Sequence, residues 1–319
     1  MVRLNWLFIA WIGLIGAAFA EVPPPADVQG IYEGVLKDAQ GEHKVEARVV
    51  AWGKGEYKVF VRQPLAEGKV AKVELDGKPD AGTLRFKGKA DGAEWALALG
   101  DGAIKGTAGK EGTVELKRVM RQSPTLGAKP PEGAIVLLDG KNFDELTKGG
   151  NQEWKITGEG AIQVPRSGMN SKRRFDGSFK LHVEFFLPLI PEARDQGRSN
   201  SGVYLPNGDE IQVLDSFGST SYKGGGCGGL YAYKNPDVFD EFSLASLPPL
   251  QWQTFDVEYR VEKKNGKPTG KPHVTVLHNG IKIHDNARLN ADAKVGGFHF
   301  QDHGNPVQYR NIWVLPISP

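Results

Sequence analysis

The chain has 319 residues, with 40 basic and 38 acidic side chains and a formal net charge of +2. A balance this even supplies neither a basic groove for nucleic acid nor a patch for an anionic membrane surface. One cysteine, Cys227, excludes an intrachain disulfide framework, and 41 glycines with 20 prolines, scattered among short alternating apolar runs, point to turns between many strands.

Residues 1–20 read as a secretory signal: Arg3 near the start, an apolar run from Trp6 to Phe19, and Ala18 and Ala20 framing a cleavage site after Ala20. The run is shorter than the ~20 residues a membrane-spanning helix needs. No later segment is apolar enough to span a bilayer, so the expected mature protein is secreted or periplasmic, with no membrane contact after signal cleavage.

A small β domain is expected over residues 27–119. Alternating strands are predicted at 31–36, 44–51, 57–61, 71–75, 83–86, 95–99 and 113–117, separated by Gly- and Asp-rich turns that reverse the chain. The pattern is that of an antiparallel meander or partly closed barrel. Its inward set (Val49, Val59, Val61, Leu84, Phe86, Leu97, Leu99) carries no cluster of His, Cys or carboxylates, which favours a structural module. Trp52 and Trp95 are either core residues or platforms for stacking sugars.

Residues 120–133 hold three prolines, two glycines and almost no aliphatic side chains, the composition of an extended, exposed linker. The second domain, 134–319, has predicted strands at 134–138, 154–156, 161–164, 179–186, 254–261, 273–278, 281–284, 295–301 and 307–315, with a hairpin over 200–215. Helical periodicity never runs for three turns, so the expected fold class is all-β, two packed sheets in a sandwich.

Several of these strands have one apolar and one polar face. In the hairpin, Val203, Leu205, Ile211 and Val213 alternate with Asn200, Tyr204, Glu210 and Gln212 around a turn at Pro206–Gly208. Phe298 and Phe300 alternate with His299, Gln301 and His303, and Leu181, Val183 and Phe185 with His182 and Glu184. A shared polar face is the predicted floor of a cleft, with the aromatic and Gly-rich loop from Tyr222 to Tyr233 placed to cover it.

Nine segments then carry a family resemblance, in order: LLDGK at 137–141, Trp154, FDGSFKLHVEF at 175–185, NSGVYL at 200–205, EIQVLD at 210–215, CGGLY at 227–231, LQWQTFDV at 250–257, HNG at 278–280 and FQDHGNPVQYRNI at 300–312. Together they resemble the 3-keto-disaccharide hydrolase domain, across the second domain only. The resemblance implies a concanavalin-like jelly roll with a sugar site on its concave face. It also implies activity as a 3-keto-glucoside 1,2-lyase with 3-keto-2-hydroxy-glucal hydratase. A ketone at C3 acidifies the C2 proton, so a general base can abstract it while an acid assists departure of the glycosidic oxygen from C1. Glu210 and His303 are the expected catalytic pair, in either order. Arg198, Asn200, Tyr204, Gln212, Gln301, Asp302 and Glu184 are the expected substrate-binding residues, for an oligosaccharide or other glycoside.

Two rivals use the same residues. Glu210, Gln212 and Asp215 copy the spacing of the ExDxxE motif of retaining endo-β-glucanases. Retention, however, needs two carboxyls about 5–5.5 Å apart, and here the middle position is an amide while alternation turns Asp215 to the other face. A non-catalytic carbohydrate-binding module would need only the tryptophans and the polar face. A divalent cation stabilising the enolate is chemically sensible, with His182, His278, His284, His299, His303, Glu184 and Asp302 as possible ligands, although no HxH or HExxH pattern occurs. Cys227, with no partner readable beside it, is expected to be a packed residue rather than a nucleophile.

Overall fold

The computed structural model describes residues 24–318 apart from 66–68, 91, 142, 152, 219–225 and 238–244. The signal-peptide expectation therefore lies outside the described residues. The chain is all-β, with a single four-residue α-helix, Pro25–Val28, among the described residues.

Eight antiparallel strands, from Gly30–Asp38 to Gly112–Val119, close into a barrel because the first pairs with the last, Ile31 opposite Val119. All seven residues expected to point inward are buried in its core. One strand, Ala103–Ala108, was not predicted. Its sequence AIKGTA has little apolar alternation, and Gly106 is needed because a side chain there would run into the backbone of Ala96 on the neighbouring strand. The short helix brings Val28 into the same core, and Tyr32 donates its hydroxyl to the Val28 carbonyl at 2.7 Å.

The second region has two sheets sharing one apolar core. One has five strands in the order Leu146–Lys148, Met169–Ser171, His299–Phe300, Asn200–Tyr204, Glu210–Leu214. The other is built around Phe179–Phe186, which pairs with Trp252–Lys264 on one side and Gln308–Pro316 on the other. Met169, Val203, Ile211, Val213 and Phe300 of the first meet Leu181, Val183, Phe185, Phe255 and Val257 of the second. Each sheet therefore turns its polar side chains outward, on opposite sides of the core.

The 120–133 segment is largely exposed, as its composition suggests, but it is also docked. It lies across the outer face of the larger sheet: Ser123 is buried with its hydroxyl 2.6 Å from that of Thr254, Thr125 donates to Asp256 at 2.6 Å, and the Gly127 amide donates to Glu184 at 2.6 Å. The Ala128 carbonyl accepts from Asn311 and Trp313. Docking through hydroxyls and backbone groups leaves no hydropathy signal, so the composition showed the exposure of the segment but not its attachment.

Candidate active site

Register assembles the site. In the hairpin Tyr204 lies opposite Glu210 and Gly202 opposite Gln212, and directly opposed residues share a face. On the other side of the hairpin Tyr204 pairs with His299, and His299 with Asn170. Beyond Glu210, the chain from Gly226 returns along the sheet edge: the Tyr231 amide donates to the Glu210 carbonyl at 3.1 Å, and Gln212 and Gly229 are joined in the same way. Leu230 enters the core, so Tyr231 faces outward with 42% of its surface exposed. The result is one cross-strand row, Asn170–His299–Tyr204–Glu210–Tyr231, with steps of about 4.8 Å.

Gly202 makes room for Glu210, since a methyl at this glycine would collide with the carboxylate. Burial raises the Glu210 pKa from its ordinary value, opposed by a hydrogen bond from the Tyr204 hydroxyl. Tyr204 is raised in turn by burial and by that bond, and Gln301 Nε2 donates to its hydroxyl at 3.3 Å. Burial lowers the His299 pKa. Its Nδ1 lies 2.9 Å from Asn170 Oδ1, which assigns the proton to Nδ1 and leaves the Nε2 lone pair free to accept. The Tyr204 and His299 rings meet edge to face at 5.3 Å.

Gln212 connects this row to a polar cluster behind it. With Nε2 turned to Glu210 Oε1, at 2.9 Å, the amide donates to an ionised carboxylate. Turned the other way, Nε2 donates to Gln196 Oε1 at 3.0 Å and Asn200 Oδ1 at 3.3 Å, leaving the amide oxygen to accept from a protonated Glu210. The first orientation removes an oxygen–oxygen clash beside an ionised carboxylate, so the amide can follow the proton. Asn200 is held by Gln196 and by Asn305 Oδ1.

The structure brings Glu210, Tyr204, Gln212, Asn200 and Gln301 together. The other expected site residues have other partners or are exposed. Arg198 is buried and bonded through Nε (3.1 Å) and Nη2 (2.7 Å) to the buried Asp215. This also takes Asp215 away from any paired-carboxyl arrangement. Asp302 shapes its own turn, accepting from the Gly304 and Ser167 amides. His303 is exposed in that turn, and among the described residues no hydrogen bond joins it to Glu210. Glu184 is on the outer face of the opposite sheet, where it accepts from Gly127, Arg310 and Asn311. Parity had given the correct face of each strand but not which sheet the strand joins.

Sequence reasoning missed the weight of His299, and it missed Asn170 and Gln196; Tyr231 lies in the loop expected to cover the polar face, but its place in the row was not foreseen. His299 was legible as a member of the polar face. The others depend on pairings between distant segments that no local pattern encodes. Among the described residues no group of three His, Cys, Asp or Glu side chains is arranged to hold a metal ion. Cys227 is buried, and that burial pushes its thiol up to about 12, away from the thiolate a nucleophile needs.

The sequence pattern of the 3-keto-alpha-glucoside-1,2-lyase-like domain matches residues 133–315, more than half of the chain. The chain belongs to this family. The family domain contains both sheets and every member of the row, and excludes the barrel. Among solved structures, one similar to it is a crystal structure from Parabacteroides distasonis whose name assigns it provisionally to the glycosyl hydrolases. It is 29% identical with a TM-score of 0.50, and the match covers 59% of this chain and 85% of that one. No curated protein matches this chain. Membership of this family makes this a carbohydrate-active protein. Among the described residues no helix is long and apolar enough to cross a membrane.

Proposed function

We propose that this chain is an exported enzyme that cleaves 3-keto-glycosides by β-elimination and rehydration, on the outward face of the five-stranded sheet in a concanavalin-like jelly roll. The observation that carries the reading is the row itself. Two titratable groups flank Tyr204 within reach of one bound sugar: His299, whose pKa burial lowers, and Glu210, whose pKa burial raises. His299, kept neutral with Nε2 free, abstracts the C2 proton. The C–H electron pair passes towards the C3 carbonyl, and the Tyr204 hydroxyl and Gln301 amide supply hydrogen bonds to the enolate oxygen. Collapse of the enolate re-forms the C3 carbonyl, forms the C1–C2 double bond and breaks the C1–O bond, while Glu210, acting in its protonated form, gives its proton to the departing oxygen. Water then adds its oxygen to C1 and a proton to C2, giving net hydrolysis. Tyr231 offers an exposed ring for a sugar face.

The reading departs from the sequence-based pair by replacing His303 with His299. A retaining glucanase recedes because Asp215 is bound to Arg198. The export signal over residues 1–20 supports the location, and the amino-terminal residue of the secreted product tests it.

The deciding experiment incubates purified protein with a 3-keto-glucoside and follows aglycone release. Turnover that disappears in Glu210→Gln and His299→Ala but persists in His303→Ala is the expected result. Binding of unoxidised glycans without turnover of any 3-keto-glycoside would move the assignment to a binding module.

A further inference from the structure

The barrel lies outside the family domain, yet both chain segments that fix the open end of the site hairpin rest on it. The loop ahead of Asn200–Tyr204 carries Gln196, whose backbone carbonyl and side-chain oxygen accept from Asn200 Nδ2 at 2.8 and 2.9 Å, and whose side chain also reaches Gln212. Four residues earlier in that loop, Glu192 Oε1 accepts from the backbone amide of Lys54, in the barrel turn after strand Gly41–Gly53, at 2.8 Å. Arg194 lays its guanidinium 4.3 Å from the centre of the Trp52 ring and donates to the Trp52 carbonyl. The approach is tight enough to require Gly53, at φ 77°, where a Cβ would stand 2.6 Å from Glu192 Oε2 and 2.9 Å from the Pro191 carbonyl.

The second segment leaves Glu210–Leu214 and drives Phe217 into a small apolar cluster with Ile31, Val50 and Phe60 of the barrel and with Leu247. Gly218 follows with its α-carbon against Val50. Between the two segments runs the buried Arg198–Asp215 pair. A path of direct contacts thus runs from Trp52 through Arg194 and its loop to Gln196, and from there to the amide that faces Glu210.

We propose that the barrel is a positioning element of the enzyme: its Trp52 turn holds the 188–199 loop so that Gln196 sets Asn200 and Gln212 beside Glu210. Trp52 and Gly53 touch no substrate and act through the loop. This inference rests on the site described above, and it gives the first domain a catalytic reason to be joined to the second. Losing sub-ångström placement of groups around reacting atoms is enough to slow a reaction by one to two orders of magnitude.

The test uses the full chain with Trp52→Ala, Trp52→Phe, Arg194→Ala and, as a control on the far barrel wall, Lys105→Ala. Two readouts are taken: kcat and KM for a 3-keto-glucoside, and amide hydrogen exchange over residues 193–201 in the free protein. Expected for Trp52→Ala and Arg194→Ala are about tenfold faster exchange in that segment and about tenfold lower kcat with a smaller change in KM. The Phe variant, which keeps an aromatic platform, should recover most of both, and the Lys105 variant should change neither. Unchanged exchange overturns the proposal, and so does faster exchange with wild-type kcat, which would leave only a docking contact. Should Glu210→Gln retain activity while Trp52→Ala loses it, the site reading fails and the barrel's positioning role stands. Should the substrate class be wrong, wild-type exchange rates in Trp52→Ala still refute the coupling.

Discussion

The two outward faces of the family domain hold similar residues in different states. On the larger sheet, Glu184 accepts from Gly127, Arg310 and Asn311, with His182 at 3.5 Å, and the 120–133 segment covers the group. His182 is bonded to Asp256 at 2.7 Å and stacked on Trp313. On the smaller sheet, Glu210 has the Tyr204 hydroxyl and one Gln212 amide, and His299 keeps one nitrogen free. A carboxylate offers about four lone-pair sites. Where the protein fills them the group is a fastener, and where it leaves them open the group can still exchange a proton.

Exchanging one carboxyl on each face sharpens this contrast most. Glu210→Gln should lower kcat by about 10²–10⁴-fold, the usual contribution of a positioned proton-transfer group. It should also raise the melting temperature at pH 8. A carboxyl whose folded pKa is raised stabilises the fold fully only below its unfolded value, and that contribution is lost as pH rises through the folded pKa. The amide carries no such penalty. Glu184→Gln should do the reverse, leaving kcat near wild type and costing about 2–3 kcal/mol, because Arg310 and the buried His182 lose their anion. Denaturant titration beside the activity assay separates the two outcomes, and equal loss of kcat in both variants would end the distinction between the faces.

A smaller effect is expected from Gly202→Ala. The new methyl would push the Glu210 side chain off its place over the strand without removing any charge. About 10²-fold lower kcat, with stability changed by less than for Glu184→Gln, is the expected outcome. Wild-type kcat in this variant would mean that the position of Glu210 over Gly202 does not matter to the chemistry.

How much of this was readable beforehand follows from what alternation can encode. Val203, Ile211 and Val213 against Tyr204, Glu210 and Gln212 is a period-two pattern, and the hairpin with its polar face came directly from it. The same reasoning failed at His303 because alternation holds only while a strand continues. The strand His299–Phe300 ends three residues earlier, and beyond Gln301, which still reaches Tyr204, His303 lies exposed in a turn. Sheet membership was equally invisible. Glu184 and Glu210 have the same local pattern, and only long-range pairing sends them to opposite sides of the core. Tyr231 joined the site through backbone bonds from a glycine-rich segment, a composition that carries no strand signal.

The least of the expected effects concerns pH and the covered face. Burial disfavours the His182 imidazolium, but its hydrogen bonds to Asp256 and Glu184 and their negative charge outweigh that, so its pKa is raised. Asp256 is also held by Thr125 of the covering segment, which couples the charge on His182 to the docking of that segment. With the folded pKa above the unfolded value of about 6.5, the stabilisation is complete below about pH 6.5 and fades as pH rises through the folded value. The melting temperature of the wild type should therefore fall on going from pH 6 towards pH 9, by roughly 2–4 °C for each kcal/mol lost in a domain of this size. His182→Gln should start lower at pH 6 and lose this slope, while His299→Gln, on the open face, should keep it. A slope that survives in His182→Gln would place the titrating group elsewhere, and the covered face would then be held by hydrogen bonds alone.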